Sequence, residues 1–306
     1  MNKWDVNICA ATEHCVEWRD TVLHLVIKDI GRKYNPRGMW TVAASNHSVG
    51  NHLKPGGALL YSTEDMAICT IQKGVDPWGH GRWAFQQYRS KDGHSVLVIS
   101  GYRVDRRSNI PGSSTVWYQQ KVLLTTQGRI EEDPADAFLT DMLEWINTQT
   151  AQSEKMEIIL FLDANEQWSL TANITQFADL HALENINIAG DFKFPPLHPS
   201  FHNMERSTTI DYCLCTSGVL PRIQYATMAP YDLAILGDHR GMILDIDLNE
   251  LLKDRVKLCK DKNKRNLITS NVQSCKKYID LVETGFGKQN IIHKMDKLYH
   301  QWTKKI

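Results

Sequence analysis

The sequence predicts an α/β sandwich, and three observations carry that reading. Strand candidates outnumber helices, roughly ten to a few, and most can pair antiparallel, which argues against a doubly wound parallel sheet. Three segments deliver acidic, amide or imidazole side chains at or beside a strand: Asp163-Ala164-Asn165-Glu166 after Ile158–Leu162, Asp211 within Thr209–Thr216, and Gly237-Asp238-His239-Arg240 near the end. The 306 residues are 42% hydrophobic with nine Trp and ten Tyr, ample for a packed core.

Val6–Ala11 is an apolar run without turn residues, as in a buried strand. Cys15–Lys33 then sets Val16, Val22, Leu23, Leu25, Val26 and Ile30 close to helical spacing. Met39–Ala44 reads as a strand and Asn46–Gly57 as a polar Gly/Pro loop. Strands follow at Ala58–Tyr61, Ala67–Gln72 and Gly81–Tyr88, the last alternating Trp83 and Phe85 with polar partners as a half-buried strand does. Ser95–Tyr102 is the most apolar strand of the first half, and Arg103, Arg106 and Arg107 lead into a polar loop, Asp105–Ser114. Thr115–Gly128 and Pro134–Thr150 read as helices, the second with Pro134 near its start and Ala137, Phe138, Met142, Leu143, Trp145 and Ile146 as its apolar stripe. Ile158–Leu162 is a strand, Ile174–Leu183 a short helix and Phe192–Asn203 a Pro/His-rich loop. Ile210–Cys215, Arg222–Met228 and Met242–Asp247 complete the strands. Beyond them only helices are expected, at Leu248–Cys259, Val272–Gly285 and Ile291–Trp302.

A formal net charge of zero hides two halves of opposite sign. Leu251–Ile306 holds 14 Lys+Arg and 5 Asp+Glu, leaving 21 basic and 30 acidic residues before it. The expected organisation is an acidic body over residues 1–248 and a basic helical connector over residues 249–306. Such a tail suits nucleic acid, RNA included; a solvated linker with lysine-rich faces fits it as well. Seven scattered cysteines favour a reducing intracellular compartment, the nucleus included, with Cys213 and Cys215 facing one side of a strand as small buried hydrophobes. No run approaches a membrane span, so no membrane partner is expected, and Met1–Ala11 lacks the layout of a secretory signal.

Acidic, amide and imidazole groups converging on one rim suit phosphodiester hydrolysis. Carboxylates hold a hard divalent cation, Asn and His donate to phosphate oxygens, and Asp positions water. Each residue also has a plainer reading. Glu13 could be a helix N-terminal acid, Tyr102 an ordinary half-buried tyrosine, and Asp163 with Asn165 an Asx turn. Gly237–Arg240 could be a turn whose histidine caps a helix. Asp211, on an otherwise apolar strand, needs a partner if buried, and His239 is the natural one.

Taken in order, Thr12-Glu13, Gly101-Tyr102-Arg103, Leu162-Asp163-Ala164-Asn165-Glu166, Thr209-Ile210-Asp211-Tyr212 and Gly237-Asp238-His239-Arg240-Gly241 resemble the motifs of the endonuclease/exonuclease/phosphatase superfamily. Within it the similarity is greatest to the apurinic-endonuclease-like domain of non-LTR retrotransposon polyproteins. It spans about Asp5 to Asp247, with Lys54–Gly57 and Gly79–Trp83 as linking segments. The resemblance implies a DNase I-like fold, a four-layer sandwich of two mixed β-sheets flanked by helices. It implies Mg²⁺ or Mn²⁺ held by Glu13 and Asp238, Asp163 as the water-activating base, and Asn165 and Tyr102 as phosphate ligands. It pairs Asp211 with His239 so that the imidazole stays protonated, and it makes DNA the substrate, nicked to prime reverse transcription.

Two departures accompany it. Leu162 stands where the family usually has Gly, and only Met1–Trp4 precede the Asp5–Ala11 strand, where the family has a further strand carrying a phosphate-binding asparagine. The expected fold therefore lacks its first strand, and the expected nicking is weak or absent. A catalytically dead remnant with at most nucleic-acid affinity is one alternative function, and a small-phosphoester phosphatase of the same superfamily is another.

Overall fold

The chain is seen in a computed structural model that describes residues 6–18, 37–48, 54–90, 93–110, 114–151, 155–187, 199–202, 207–229 and 238–252, with Asp29, Gln273, Lys276 and Asp280 besides. The chain divides into two compact units, Met1–Lys257 and Leu258–Ile306, and every described strand lies in the first.

The central element is a mixed six-stranded sheet. Its strands are β4 (Thr70–Val75), β5 (Trp83–Arg89), β6 (Ser95–Tyr102), β7 (Met156–Asp163), β11 (Asp211–Thr216) and β8 (Leu183–Asn185), in that spatial order. All neighbours are antiparallel except β6 and β7. A parallel pair needs a long crossover, and here it carries α2 (Val116–Thr126) and α3 (Pro134–Thr150). Against the sheet lie two antiparallel pieces: β1 (Ile8–Thr12), β3 (Ala58–Ser62) and β2 (Met39–Ala43) in the order β1-β3-β2, and the pair β12 (Ile223–Met228) with β13 (Met242–Ile246). A small hairpin, β9 (Phe201–His202) with β10 (Ser207–Thr208), stands apart.

Two cores separate these layers. On one face Trp83, Phe85, Leu97, Ile99, Leu160 and Leu162 meet Phe138, Met142, Trp145 and Ile146 of α3 and Ile174 and Phe177 of α4 (Asn173–Leu180). On the other, Val96, Val98, Ile159, Cys213 and Cys215 meet Leu60 of β3 and Ile223 and Ala226 of β12. Burying a large apolar side chain contributes about 1.5–3 kcal/mol, so each of these contacts between layers matters. Leu251 and Leu252, at the end of α5 (Leu248–Leu251), complete the second core. The expected helix over residues 15–33 and the tail helices lie largely outside the described residues.

Local chemistry explains the boundaries. Asp133 accepts a hydrogen bond from Ala135 N at 2.8 Å and so caps α3 just before Pro134, while Thr115 caps α2 through Tyr118 N. Three expectations shift. Ala67 ends a short helix, α1 (Glu64–Ala67), whose last amides donate to Thr63 O, so the following strand starts at Thr70. The helix expected to reach Leu183 stops at Leu180, because Ala182 turns to φ +50° and Leu183 joins β8. And β5 is buried on both faces, not one. Its Gln86 faces the second layer, donating to Thr41 Oγ1 at 2.9 Å and accepting from Ser62 and Tyr88.

A buried ion network ties the sheet to α3. Arg82, fully buried, reaches Asp76 through Nε at 2.7 Å and Asp141 of α3 through Nη1 at 2.7 Å. Arg129 adds a second cation to Asp141 at 2.9 Å, and the Arg82 guanidinium lies over the Trp83 ring.

Candidate active site

Three strands of the central sheet meet at one rung. Tyr102 ends β6 beside Asp163, which ends β7, and Asp163 lies opposite Asp211, which opens β11. Side-by-side residues project to the same face, so one hydroxyl and two carboxylates share a rim. Asp163 is only 3% exposed. Burial, then the charge of Asp211, hold its carboxyl well above the usual carboxylate range, with His239 acting in the other direction.

Glu13 arrives from the other layer. It follows β1 with φ +49°, and Cys15 follows at φ +52°, a conformation costing L-residues roughly 1–2 kcal/mol each. The turn is held by Lys54–Gly57: Glu13 N donates to Gly57 O at 2.9 Å, Cys15 N to Gly56 O at 3.1 Å, and Lys54 N to Cys15 O at 3.1 Å. Gly57 sits at φ +96°, and a Cβ there would come within 2.9 Å of Ala43 O. No helix starts here within residues 13–18, so Glu13 is not a helix N-terminal acid. It is exposed and lies near the Tyr102 hydroxyl, whose pKa is raised by burial and then by the charge of Glu13.

His239 lies just before β13. Its Nδ1 is 2.9 Å from Asp211 Oδ2, its ring stacks edge-on with Phe201 at 5.0 Å, and its backbone bridges to Phe201. Burial opposes its charge, but the hydrogen bond and charge of Asp211, joined by Asp163 and Asp238, push its pKa up to about 9. One ligand atom from each of Glu13, Asp163 and His239 lies within 4.8 Å of the other two. With Nδ1 committed to Asp211, a protonated imidazole has no lone pair for a cation. Within this cluster the carboxylates of Glu13 and Asp163 are the groups that could then donate to a cation, and two hard oxygens suit Mg²⁺-like ions.

The remaining expected residues sit differently. Asn165 is not extended: at φ +49° it closes an Asx turn, its amide N–H donating to Asp163 Oδ1 at 3.2 Å and its Nδ2 to Arg103 O at 2.8 Å. Asp238 is exposed and lies outside the three-residue cluster, close enough to favour charge on His239. Sequence reasoning also missed Ser200, inside the expected loop. Its buried hydroxyl accepts from both Ile210 N and Asp211 N at 3.0 Å, and its carbonyl accepts from Arg240 N at 2.7 Å. It thus links the Asp211 strand to the His239 segment. Only the two-residue pairing at Phe201–His202 marks it, and no periodic pattern announces so short a strand.

Asp211→Asn is expected to lower the His239 pKa by one unit or more, read from its imidazole resonances by NMR titration. A raised folded pKa stabilises the fold below the unfolded value near 6.5 and loses that contribution as pH rises towards 9. The variant should lose this pH dependence of stability too; an unchanged titration would rule out the pairing as its cause.

Solved structures share this architecture. An endonuclease/exonuclease/phosphatase from Bacteroides vulgatus superimposes with a TM-score of 0.53 at 12% identity, over 80% of this chain and 86% of the other. AP endonuclease LMAP from Leishmania major gives 0.53 at 10% identity, over 80% and 79%. An endonuclease/exonuclease/phosphatase family protein from Leptotrichia buccalis C-1013-b gives 0.50 at 10%, over 80% and 89%. The sequence matches no protein-family model and no curated protein significantly. The fold is that of the endonuclease/exonuclease/phosphatase proteins, a DNase I-like α/β sandwich.

Proposed function

We propose that the chain is a divalent-metal-dependent phosphodiesterase acting on DNA, the endonuclease-like domain of a retroelement. The observation that carries this reading is the meeting of Glu13, Asp163 and His239 within 4.8 Å beside the Tyr102–Asp163–Asp211 rung. Bound Mg²⁺ or Mn²⁺ supplies Lewis-acid stabilisation of charge on the phosphate. Glu13 would hold it, with Tyr102 nearby, Asp163 in reach and Asp238 at the exposed side. Asp163, buried and of raised basicity, takes a proton from the attacking water. His239, kept protonated by Asp211, donates Nε2–H to an oxygen on which negative charge grows. Asn165 serves the site by closing the Asp163 turn.

The retroelement assignment draws support from Lys54–Gly57, a linking segment that here cradles the Glu13 turn. RNA binding by the basic tail and an intracellular, reducing location extend the proposal, the latter supported by free thiols at Cys9, Cys15, Cys69, Cys213 and Cys215. No described helix is long and apolar enough to cross a membrane.

One observation favours the second reading, a catalytically dead remnant with at most nucleic-acid affinity. β1, which Glu13 follows, and β13, which His239 precedes, are each an edge strand among the described strands, and none of their residues is fully buried. Supercoiled plasmid incubated with Mg²⁺ or Mn²⁺, with and without chelator, separates the readings. Chelator-sensitive conversion to open circles supports the endonuclease. Hydrolysis of small phosphate monoesters alone points to a phosphatase, and no hydrolysis of either leaves the remnant.

A further inference from the structure

Arg103 touches every residue of the turn that presents the candidate base. Its backbone N donates to Asp163 O at 2.9 Å and its guanidinium Nη1 to Ala164 O at 3.1 Å. Its carbonyl accepts from Asn165 Nδ2 at 2.8 Å, and Nη1 meets Glu166 Oε2 at 3.1 Å. The guanidinium is anchored from behind, where Nε donates to Ala135 O at 2.9 Å in the first turn of α3. Glu166 is anchored in turn, since the same Oε2 accepts from Ile174 N at 3.0 Å at the start of α4. Arg103 is only 2% exposed and follows Tyr102 directly.

We infer that Arg103, through Glu166 and the Asp163–Glu166 turn, is the positioning residue that aims the Asp163 carboxylate at the reacting centre. This rests on the phosphodiesterase reading of the same site. The chemistry asks for arginine: one planar cation reaches two carbonyls and a carboxylate in different directions. A lysine ammonium keeps the charge but, as a point donor on a flexible stem, cannot span Ala135 O, Ala164 O and Glu166 together. Nε and Nη1 are committed to the protein's own scaffold, and Nη2 is buried without a hydrogen-bond partner among the described residues.

A buried arginine bonded to carbonyls could serve stability alone, and the two roles predict different measurements. Displacing a reacting group by about an ångström costs on the order of 100-fold in rate. Arg103→Met should therefore lower kcat on a nicked-plasmid or oligonucleotide assay by roughly 10- to 100-fold, with KM for DNA changed less than about threefold. Arg103→Lys should fall between, and Glu166→Gln should reproduce part of the loss. Amide hydrogen exchange supplies a readout independent of activity. In Arg103→Met the amides of Ala164, Asn165 and Ile174 should exchange at least tenfold faster, while Leu97 and Leu160 in the core keep their protection. Unchanged kcat, or exchange accelerated equally in the core, would reduce Arg103 to a stabilising residue. A rise in KM alone would make it a substrate contact and overturn the inference. If wild-type protein hydrolyses no phosphodiester, the functional reading falls, and the local exchange pattern still decides whether Arg103 fixes the turn.

Discussion

His239→Ala is expected to lower kcat for plasmid nicking by about 10²–10³, the usual cost of losing one preorganised donor to developing charge. The substitution removes a side chain that lies 29% exposed at the rim, so the fold survives it and the loss is chemical. The pH profile gives the sharper signature. Activity that depends on the imidazolium is present below the His239 pKa of about 9 and falls as pH rises through it. Asp163 must be ionised to accept a proton, so its raised carboxyl sets the acid limb, and activity climbs as pH rises through that value. A bell-shaped profile results in wild-type protein. In His239→Ala the alkaline limb near pH 9 should disappear, while the acid limb remains and moves to higher pH, because the imidazolium no longer favours the Asp163 carboxylate. A variant that retains both the rate and the alkaline limb would remove His239 from the chemistry.

Arg82→Met destabilises the fold by about 3–5 kcal/mol, the cost of leaving a buried charge without its partner. Asp76 is the reason. Its carboxylate is 2% exposed and receives Arg82 Nε at 2.7 Å and Nη2 at 3.1 Å, with Trp78 N at 2.9 Å and the Arg82 backbone N at 3.4 Å as its other described donors. Asp141 keeps Arg129, so the damage centres on Asp76. Urea unfolding at neutral pH measures the effect, and the double variant Arg82→Met/Asp76→Asn should recover part of it. A loss below about 1 kcal/mol, with no recovery in the double variant, would mean that water reaches these groups and that the network does not tie the sheet to α3.

The elements that could be read from sequence are those whose signal is local. Ser95–Tyr102 and Ile158–Leu162 are long apolar runs, and a run bounded by polar residues reads as a strand whatever packs against it. The site residues were legible for a related reason: a carboxylate at the end of such a run has its position set by the strand itself. What stayed hidden depends on partners distant in sequence. The Glu13 turn forms because Gly56 and Gly57 can approach it from more than forty residues away. Burial of Gln86 requires a second layer that supplies Thr41 and Ser62. At Asn165 the spacing allowed an extended strand or an Asx turn, and the Arg103 carbonyl accepting its side-chain amide accompanies the turn. Ser200 belongs to no pattern; its place is known only once the Asp211 strand and the His239 segment lie side by side.

The shared rung of Tyr102, Asp163 and Asp211 makes catalytic competence a matter of strand alignment. β6 and β7 pair in parallel across a crossover of two helices, so nothing local holds one against the other. A slip of one residue would set Tyr102 beside Leu162, and because side chains alternate, the hydroxyl and the carboxylate would leave for opposite faces. Such a chain would also turn Ile158, Leu160 and Leu162 out of the core they share with α3. The site and the α3-side core therefore depend on one register, and a preparation that lost the rung would lose the core packing with it.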